Sequence, residues 1–310
     1  MDTSDTILFL NNEHIDRFQW DECIAASPHA LVYGLSVYLD TMADGWSALI
    51  DSNYKWILPI CHNKKLGMAY QFQPPFTQQL GIFARAGVEV PMADIINRLQ
   101  QRFSFWEVYW NFGLSPKELP KDIEVKACTN YCLNLKLPYD SIASSYHADL
   151  KKNLKRASKA ELHYKSESNV VKLIDLYCKL YHQRFPHVSQ YHIQQFKLLC
   201  QLVQHRQQLV CRVVENKAGA VLASAVLLQY NGRLYNMMNA TVQEGRDTAA
   251  NHYLLDSIIR EYGEQDIVFD FEGSDLPGVK TFYENFGATN QPYYFLKYNN
   301  LPWPAKWFKQ

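Results

Sequence analysis

The sequence predicts an α/β protein of two tandem domains, each a mixed, mostly antiparallel sheet flanked by helices. Three observations predict it. A chain of 310 residues is long for one core and suits two domains of about 150 residues each. In the second half, hairpin-linked strands give way to a helix, a strand, a helix and a strand, an order that combines antiparallel pairing with one parallel return. The first half repeats that order in weaker form, and a stretch rich in proline and charge, SPKELPKDIEVK at 115–126, separates the two. The expected domains are 1–125 and 126–310.

In the first half, residues 46–50 and 55–61 read as strands around a turn at 51–53, and HNKKLG is a second turn. MAYQFQ is then a strand, QPPFTQQLGIFARAG a long loop, PMADIINRLQQRF a helix and WEVYWNFG a strand. In the second half, the basic stretch YHADLKKNLKRASK at 146–159 has helical character. Residues 170–185, with Leu173, Leu176, Tyr177 and Leu180 on one face, and residues 193–205 form two further helices. LVCRVVEN, AVLASAVLLQYN and RLYNMMNATVQ are three strands joined by turns short enough to force antiparallel pairing. The loop QEGRD leads into TAANHYLLDSIIREYGE, an amphipathic helix with Leu254, Leu255, Ile258 and Ile259 as its apolar stripe. DIVFDFEGS is the next strand, PGVKTFYENFG a short helix stopped by Gly287, and PYYFLKYN the last strand of the second domain.

Hydrophobic residues make up 47% and charged residues 20%, the composition of an ordinary folded protein. Zero formal net charge removes the global attraction that a nucleic-acid or anionic-membrane binder carries, while leaving room for local basic patches. Seven cysteines, odd in number and scattered through apolar stretches, fit free thiols in a reducing compartment better than a disulfide framework or a metal site. The N-terminus lacks a basic leader, and no apolar run approaches about 18 residues. The expected protein is cytoplasmic, without membrane insertion and without a metal.

A helix N-terminus offers unpaired N–H groups and the positive end of a dipole, which suits a diphosphate. The segment 239–251 supplies such a place after a strand. Gly245 would allow close backbone approach and Arg246 would pair with phosphate, while Gln243, Thr248, Ala249 and Asn251 surround the helix start. By letters alone the segment is equally an ordinary connection containing one glycine. Tyr283 sits beside Phe282 and Phe286 as either a packed aromatic or a proton donor. Asp270 and Glu272 alternate with Phe269 and Phe271, so on a strand they share one face, either solvated or forming a base, with Glu272 preferred. Lys151, Lys152, Lys155 and Arg156 lie on a helix face that is either solvated or a contact for an anionic donor or RNA. In the first half, Tyr70, Gln73, Gln78 and Gln79 form a polar and aromatic set suited to lining an acceptor cleft, and Tyr235 and Asn239 add to it from the second half.

The order of strands, the position of the loop, the strand DIVFDFEGS and F-Y-E-N-F-G at 282–287 together resemble the GNAT acyltransferases. The doubled arrangement, with the basic helix and FEGSDLPGVKTFYENFG, is similar to the Fem family of peptidoglycan aminoacyltransferases, which are tandem GNAT domains. The resemblance implies a donor loop at 239–251, Tyr283 as the acid for a departing thiolate, and one donor site per chain. Two departures from the Fem pattern, the lack of a coiled-coil arm and Tyr283 where Fem ligases tend to carry lysine, turn the expectation towards acyl-CoA. The expected activity is therefore transfer of an acyl group, acetyl first, from acyl-CoA to a small-molecule or peptide amine in a cleft shaped by both domains. The alternatives are a Fem-like transferase using aminoacyl-tRNA on a cell-wall precursor, and a non-catalytic ligand-binding protein.

Overall fold

The computed structural model describes residues 7–303, apart from Leu66, Phe185, His187, Ser274 and Leu276. The predicted ends at Phe185 and Ser274 lie outside the described residues. The chain begins with β1 (Ile7–Asn11), α1 (Arg17–Ala25), α2 (Ser36–Met42), β2 (Trp46–Asp51), β3 (Trp56–Lys65), β4 (Met68–Gln71), β5 (Phe83–Ala84), α3 (Met92–Arg102), β6 (Phe105–Trp110) and β7 (Glu124–Cys128). It continues with β8 (Tyr131–Asn134), α4 (Tyr139–Ser144), α5 (Ala148–Ala157), β9 (His163–Ser166), α6 (Val170–Tyr181), α7 (Gln190–Gln204), β10 (Leu209–Glu215), β11 (Val221–Tyr230) and β12 (Arg233–Thr241). The last elements are α8 (Gln243–Asp247), α9 (Ala250–Glu261), β13 (Val268–Asp270), α10 (Pro277–Glu284), β14 (Thr289–Asn290) and β15 (Tyr293–Asn299). Two compact units form, one from Met1–Cys128 with Pro292–Gln310 and the other from Thr129–Gln291.

The first unit is built on a sheet of order β1-β2-β3-β4-β6-β15-β7, with β5 beside β3. Helix α3 buries Ile95, Ile96 and Leu99 against Leu58, Ile60, Trp106 and Leu296. One strand is placed differently from the sequence expectation. β15, expected to close the second domain's sheet, pairs antiparallel with β6 and β7 in the first unit. Its period-2 pattern buries Leu296 and Tyr298, but a pattern specifies which face of a strand is apolar and not which sheet that face completes. Inside the expected long loop, Phe83 and Ala84 also pair with Ile57 and Trp56.

The second unit has the order β14-β8-β13-β12-β11-β10-β9. β9 to β12 run antiparallel, and β13 returns parallel to β12, the combination expected from the sequence. α9 is a helix because its apolar residues recur at helical spacing, and Leu254, Leu255, Ile258 and Ile259 are fully buried. They pack over Ala223, Ala225, Leu227 and Leu234 of the sheet. Each such side chain contributes about 1.5–3 kcal/mol on burial, so this contact anchors the unit. On the other face α6 begins at Asn169, whose side chain accepts from Lys172 N at 3.0 Å, and it ends with the Tyr181 hydroxyl on the backbone of Thr241.

Two irregularities shape the middle of this sheet. Asn236 and Met237 of β12 together oppose Leu227 of β11, a β-bulge that breaks the ladder and bends the strand. The parallel register with β13 ends at the pair Tyr235 and Asp270, next to that bulge. Beyond it β13 leaves for β8, where Phe271 N–H donates to Tyr131 O at 3.0 Å. β12 therefore runs on to Thr241 with no strand beside it on that edge among the described residues.

Candidate active site

The open edge of β12 gathers polar groups that the fold does not satisfy. The Thr241 N–H and C=O both face the Tyr181 hydroxyl, at 3.3 and 3.4 Å, so by strand alternation the backbone of Asn239 faces the same edge. Asn239 Nδ2 and Asn236 Oδ1 are buried without a hydrogen-bond partner, and so is Asn251 Oδ1 in the first turn of α9. A buried unpaired polar atom costs about 1–3 kcal/mol, so the two on β12 and the one in the first turn of α9 are candidates for meeting polar ligand atoms.

The expected loop is itself helical over Gln243–Asp247, and this corrects the reading of QEGRD as a loop. Its side chains are largely engaged locally: Gln243 Nε2 donates to Asp247 Oδ1 at 3.0 Å and Thr248 Oγ1 to Glu244 O at 2.8 Å. Gly245 is buried, and a Cβ there would lie 2.3 Å from Leu222 O. Contact with the sheet is sufficient reason for glycine at this position. Ala249 then takes a left-handed conformation, φ +59°, which costs a non-glycine residue about 1 kcal/mol or more and aims the start of α9. The first-turn N–H groups of α9 have no intrahelical acceptor. Arg246 is exposed beside them.

The basic helix and the loop, separate in sequence, meet here. Arg156 of α5 donates to Arg246 O at 3.3 Å, which brings its charge to the loop, while Lys151, Lys152 and Lys155 are exposed along the same helix and Lys151 reaches Ser144 O at 3.1 Å. His252, which the sequence reading missed, lies in the first turn of α9 with its ring edge-on to Phe282 at 4.9 Å. Burial pushes its pKa down to about 4, Arg156 adds to the shift and Asp149 opposes it, so the imidazole is neutral at pH 7. A lone histidine in ANHYLL carries no motif that could have singled it out.

The two expected carboxylates part company. Asp270 is fully buried and paired with Arg233 at 2.6 Å, and it also accepts from Asn130 Nδ2 at 3.2 Å. Glu272 lies past the end of β13 at φ +59°, so the strand alternation that would have put both on one face does not reach it. Its N–H donates to Asp270 Oδ1 at 3.0 Å. Gly273 follows because a Cβ there would lie 1.8 Å from Thr129 O. Tyr283 of α10 packs its ring on Phe271, centroids 4.8 Å apart. Burial raises the pKa of its hydroxyl well above the usual phenol value, and the charge of Glu272 and the nearby Tyr177 and Asp270 raise it further. The proton on Tyr283 is held firmly at neutral pH, which suits a donor and not a base.

The remaining expected residues divide. Tyr235 is fully buried in β12, with Arg233 over its ring. In the first unit, Gln73 is engaged with the fold: its Nε2 donates to Thr77 O at 3.1 Å and its Oε1 accepts from Tyr109 N at 3.2 Å. Gln79 is fully buried and donates to Gln78 at 2.6 Å, while Tyr70 is half-buried beside Phe72. None of the seven cysteines is in a disulfide. Among the described residues no helix is long and apolar enough to cross a membrane.

Residues 144–282 match the family model for an acetyltransferase (GNAT) domain, so the second unit carries a GNAT-type domain. The chain as a whole folds as two GNAT-like units and is similar to FemX, at 12% identity and a TM-score of 0.64, covering 93% of this chain and 97% of that one. It is also similar to a conserved protein of unknown function from Bacteroides thetaiotaomicron VPI-5482, at 10% identity, a TM-score of 0.61, and 91% and 97% coverage. A third similar fold is L-PGS from Bacillus licheniformis, at 12% identity, a TM-score of 0.55, and 94% and 95% coverage. Among curated proteins, none matches the chain by sequence.

Proposed function

We propose that the protein is an N-acyltransferase that moves an acyl group, most simply acetyl, from acyl-CoA to an amine. The observation that carries this reading is the bulged open edge of β12, together with the unpartnered buried polar atoms of Asn236 and Asn239 in that strand and of Asn251 in the first turn of α9. Those residues fit an amide-bearing, anionic donor: the β12 edge suits amides, and the first turn of α9 with Arg246 and Arg156 suits phosphates. When bound, such a donor supplies an activated thioester. Tyr283 holds at Oη the proton that a departing thiolate needs. Of the two carboxylates whose charge reaches that hydroxyl, Glu272 is the one left to take a proton from an acceptor ammonium, since Asp270 is committed to Arg233.

A second reading, an aminoacyl-tRNA donor of the kind the Fem resemblance implies, draws on the contact of Arg156 with the α8–α9 loop, which joins the basic face of α5 to the same site. Thermal-shift measurements with acetyl-CoA and with charged tRNA separate the two. A ligand at one hundred times its Kd raises native stability by about 2.7 kcal/mol. A rise with acetyl-CoA but not tRNA is the expected result, and the reverse would replace the first reading by the second.

A further inference from the structure

Near Tyr283 the second unit carries a charge arrangement that the donor chemistry does not use. The last turn of α6 continues into a short 3-10 turn, His182–Arg184. Arg184 places its guanidinium 4.8 Å from the centroid of the Tyr181 ring, on an exposed surface. Among the described residues no carboxylate lies within ion-pair distance of it. Tyr177, one turn earlier, meets Tyr181 edge-on at 5.3 Å. Burial pushes the Tyr177 hydroxyl up to about 12, and Arg184 acts against that rise, so both groups share one electrostatic neighbourhood. Tyr177 in turn is close enough to influence Tyr283, next to Glu272. Exposed Arg184 is thus linked through half-buried Tyr181 and Tyr177 to the neighbourhood of Tyr283 and Glu272.

Resting on the reading of this unit as an N-acyltransferase, we infer that its acceptor is an amine that also bears an anionic group, a carboxylate or a phosphate. Arg184 takes the anion, Tyr177 and Tyr181 flank the spacer, and Glu272 with Tyr283 receives the amine. The polarity matches end for end: an ammonium is attracted to the inner carboxylate and repelled by the outer guanidinium, so a zwitterion is held in one direction only. A guanidinium stacked on an aromatic ring keeps its in-plane N–H donors available, which favours a carboxylate or phosphate over a neutral polar group. In the reaction the acceptor nitrogen forms the bond to the acyl carbon as the carbon–sulfur bond breaks. Before attack the ammonium gives one proton to Glu272; the departing thiolate takes the Tyr283 proton, and the second proton that the nitrogen loses on becoming an amide returns to the Tyr283 oxygen.

The test uses the full-length protein with acetyl-CoA and two matched pairs of amines: 6-aminohexanoate against hexylamine for a carboxylate, and glucosamine 6-phosphate against glucosamine for a phosphate. Thiol release and the mass of the acetylated product are followed. The expected result is a kcat/KM at least about ten-fold higher for the anionic member of one pair, the size of one charge-assisted contact. Arg184→Gln should abolish that preference through KM, and Arg184→Lys should restore part of it. Calorimetric binding of the preferred anionic amine should weaken in Arg184→Gln to the same extent. Preference for the neutral amines, or an anionic preference that survives Arg184→Gln, overturns the inference while leaving the acyltransferase reading intact. If acetyl-CoA gives no thermal shift and no amine is acetylated, the acyltransferase reading fails first and this inference falls with it.

Discussion

In the first unit the parallel pair β4/β6 continues past its last registered residues, Gln71 and Trp106, with the protein's own chain alongside. Leu80 N–H donates to Tyr109 O at 2.8 Å, Asn111 N–H donates to Leu80 O at 2.7 Å, and Gln73 accepts from Tyr109 N. In the second unit the pair β12/β13 stops at Tyr235 and Asp270, and the edge of β12 beyond it meets a single tyrosine hydroxyl. Both units send a strand through a connection and helix into a parallel return, which makes this difference informative. A gap that the chain fills with its own backbone is part of the fold. A strand edge that the chain leaves open keeps backbone groups available to a ligand. The open edge is the ground on which the proposed donor site is put in the second unit.

The largest effect should come from Tyr283→Phe, which keeps the ring against Phe271 and removes the proton. Turnover should fall about 100-fold or more, in the range for loss of a general acid, while acetyl-CoA affinity stays within about two-fold. Steady-state rates set against calorimetric binding decide it, and unchanged turnover would take Tyr283 out of the chemistry. Gly245 is a poorer probe than its sequence position suggests. Any larger residue there meets Leu222 O before it meets a ligand, so loss of donor binding would report packing.

The pH dependence of the second unit should follow His252. Its folded pKa of about 4 lies below the ordinary 6.5, so the unfolded chain binds the proton more readily. Stability is then full above pH 6.5 and lost as pH falls towards 4, by about 2 kcal/mol once partial exposure is allowed for. Denaturant titrations of wild type and His252→Phe at pH 7.5 and 4.5 should show this slope in the first protein only. Equal slopes would mean that the imidazole is already charged in the fold.

Asn239→Leu sharpens the contrast between the units most directly. Removing a buried amide with an unpaired donor should leave stability unchanged or slightly higher, yet weaken acetyl-CoA binding about ten-fold if that amide belongs to the donor site. A loss of stability with full donor affinity would instead make Asn239 a structural residue. The smallest effect is expected for Gln73→Ala, which cuts the bonds to Thr77 and Tyr109 in the first unit. It should cost about 1–2 kcal/mol in chemical denaturation and leave donor affinity unaltered.

Much of the architecture was legible in the sequence because it depends on local periodicity. α9 followed from Leu254, Leu255, Ile258 and Ile259 at helical spacing, and the hairpins from turns too short for any other pairing. The parallel return of β13 followed from the helix between two strands. The position of Tyr283 after DIVFDFEGS was likewise readable, since a strand and a short helix set it by chain order alone.

What only the tertiary structure decided depends on which distant segments meet. The destination of β15 is a choice between two sheets, and an alternating strand fits either until its neighbours are known. Asp270 and Glu272 look equivalent in FDFEG, and only the burial of Arg233 against one and the left-handed backbone of the other separate a structural ion pair from a candidate base. Arg156, Arg246 and His252 come together because α5 packs on α9, and Tyr177 faces Tyr283 because α6 crosses β12. The sequence by itself determined the elements and their order, since propensity and periodicity act within a few residues. The site was decided by contacts between segments far apart in the chain, such as Arg156 with Arg246 across 90 residues, where burial and charge depend on surroundings that no local pattern encodes.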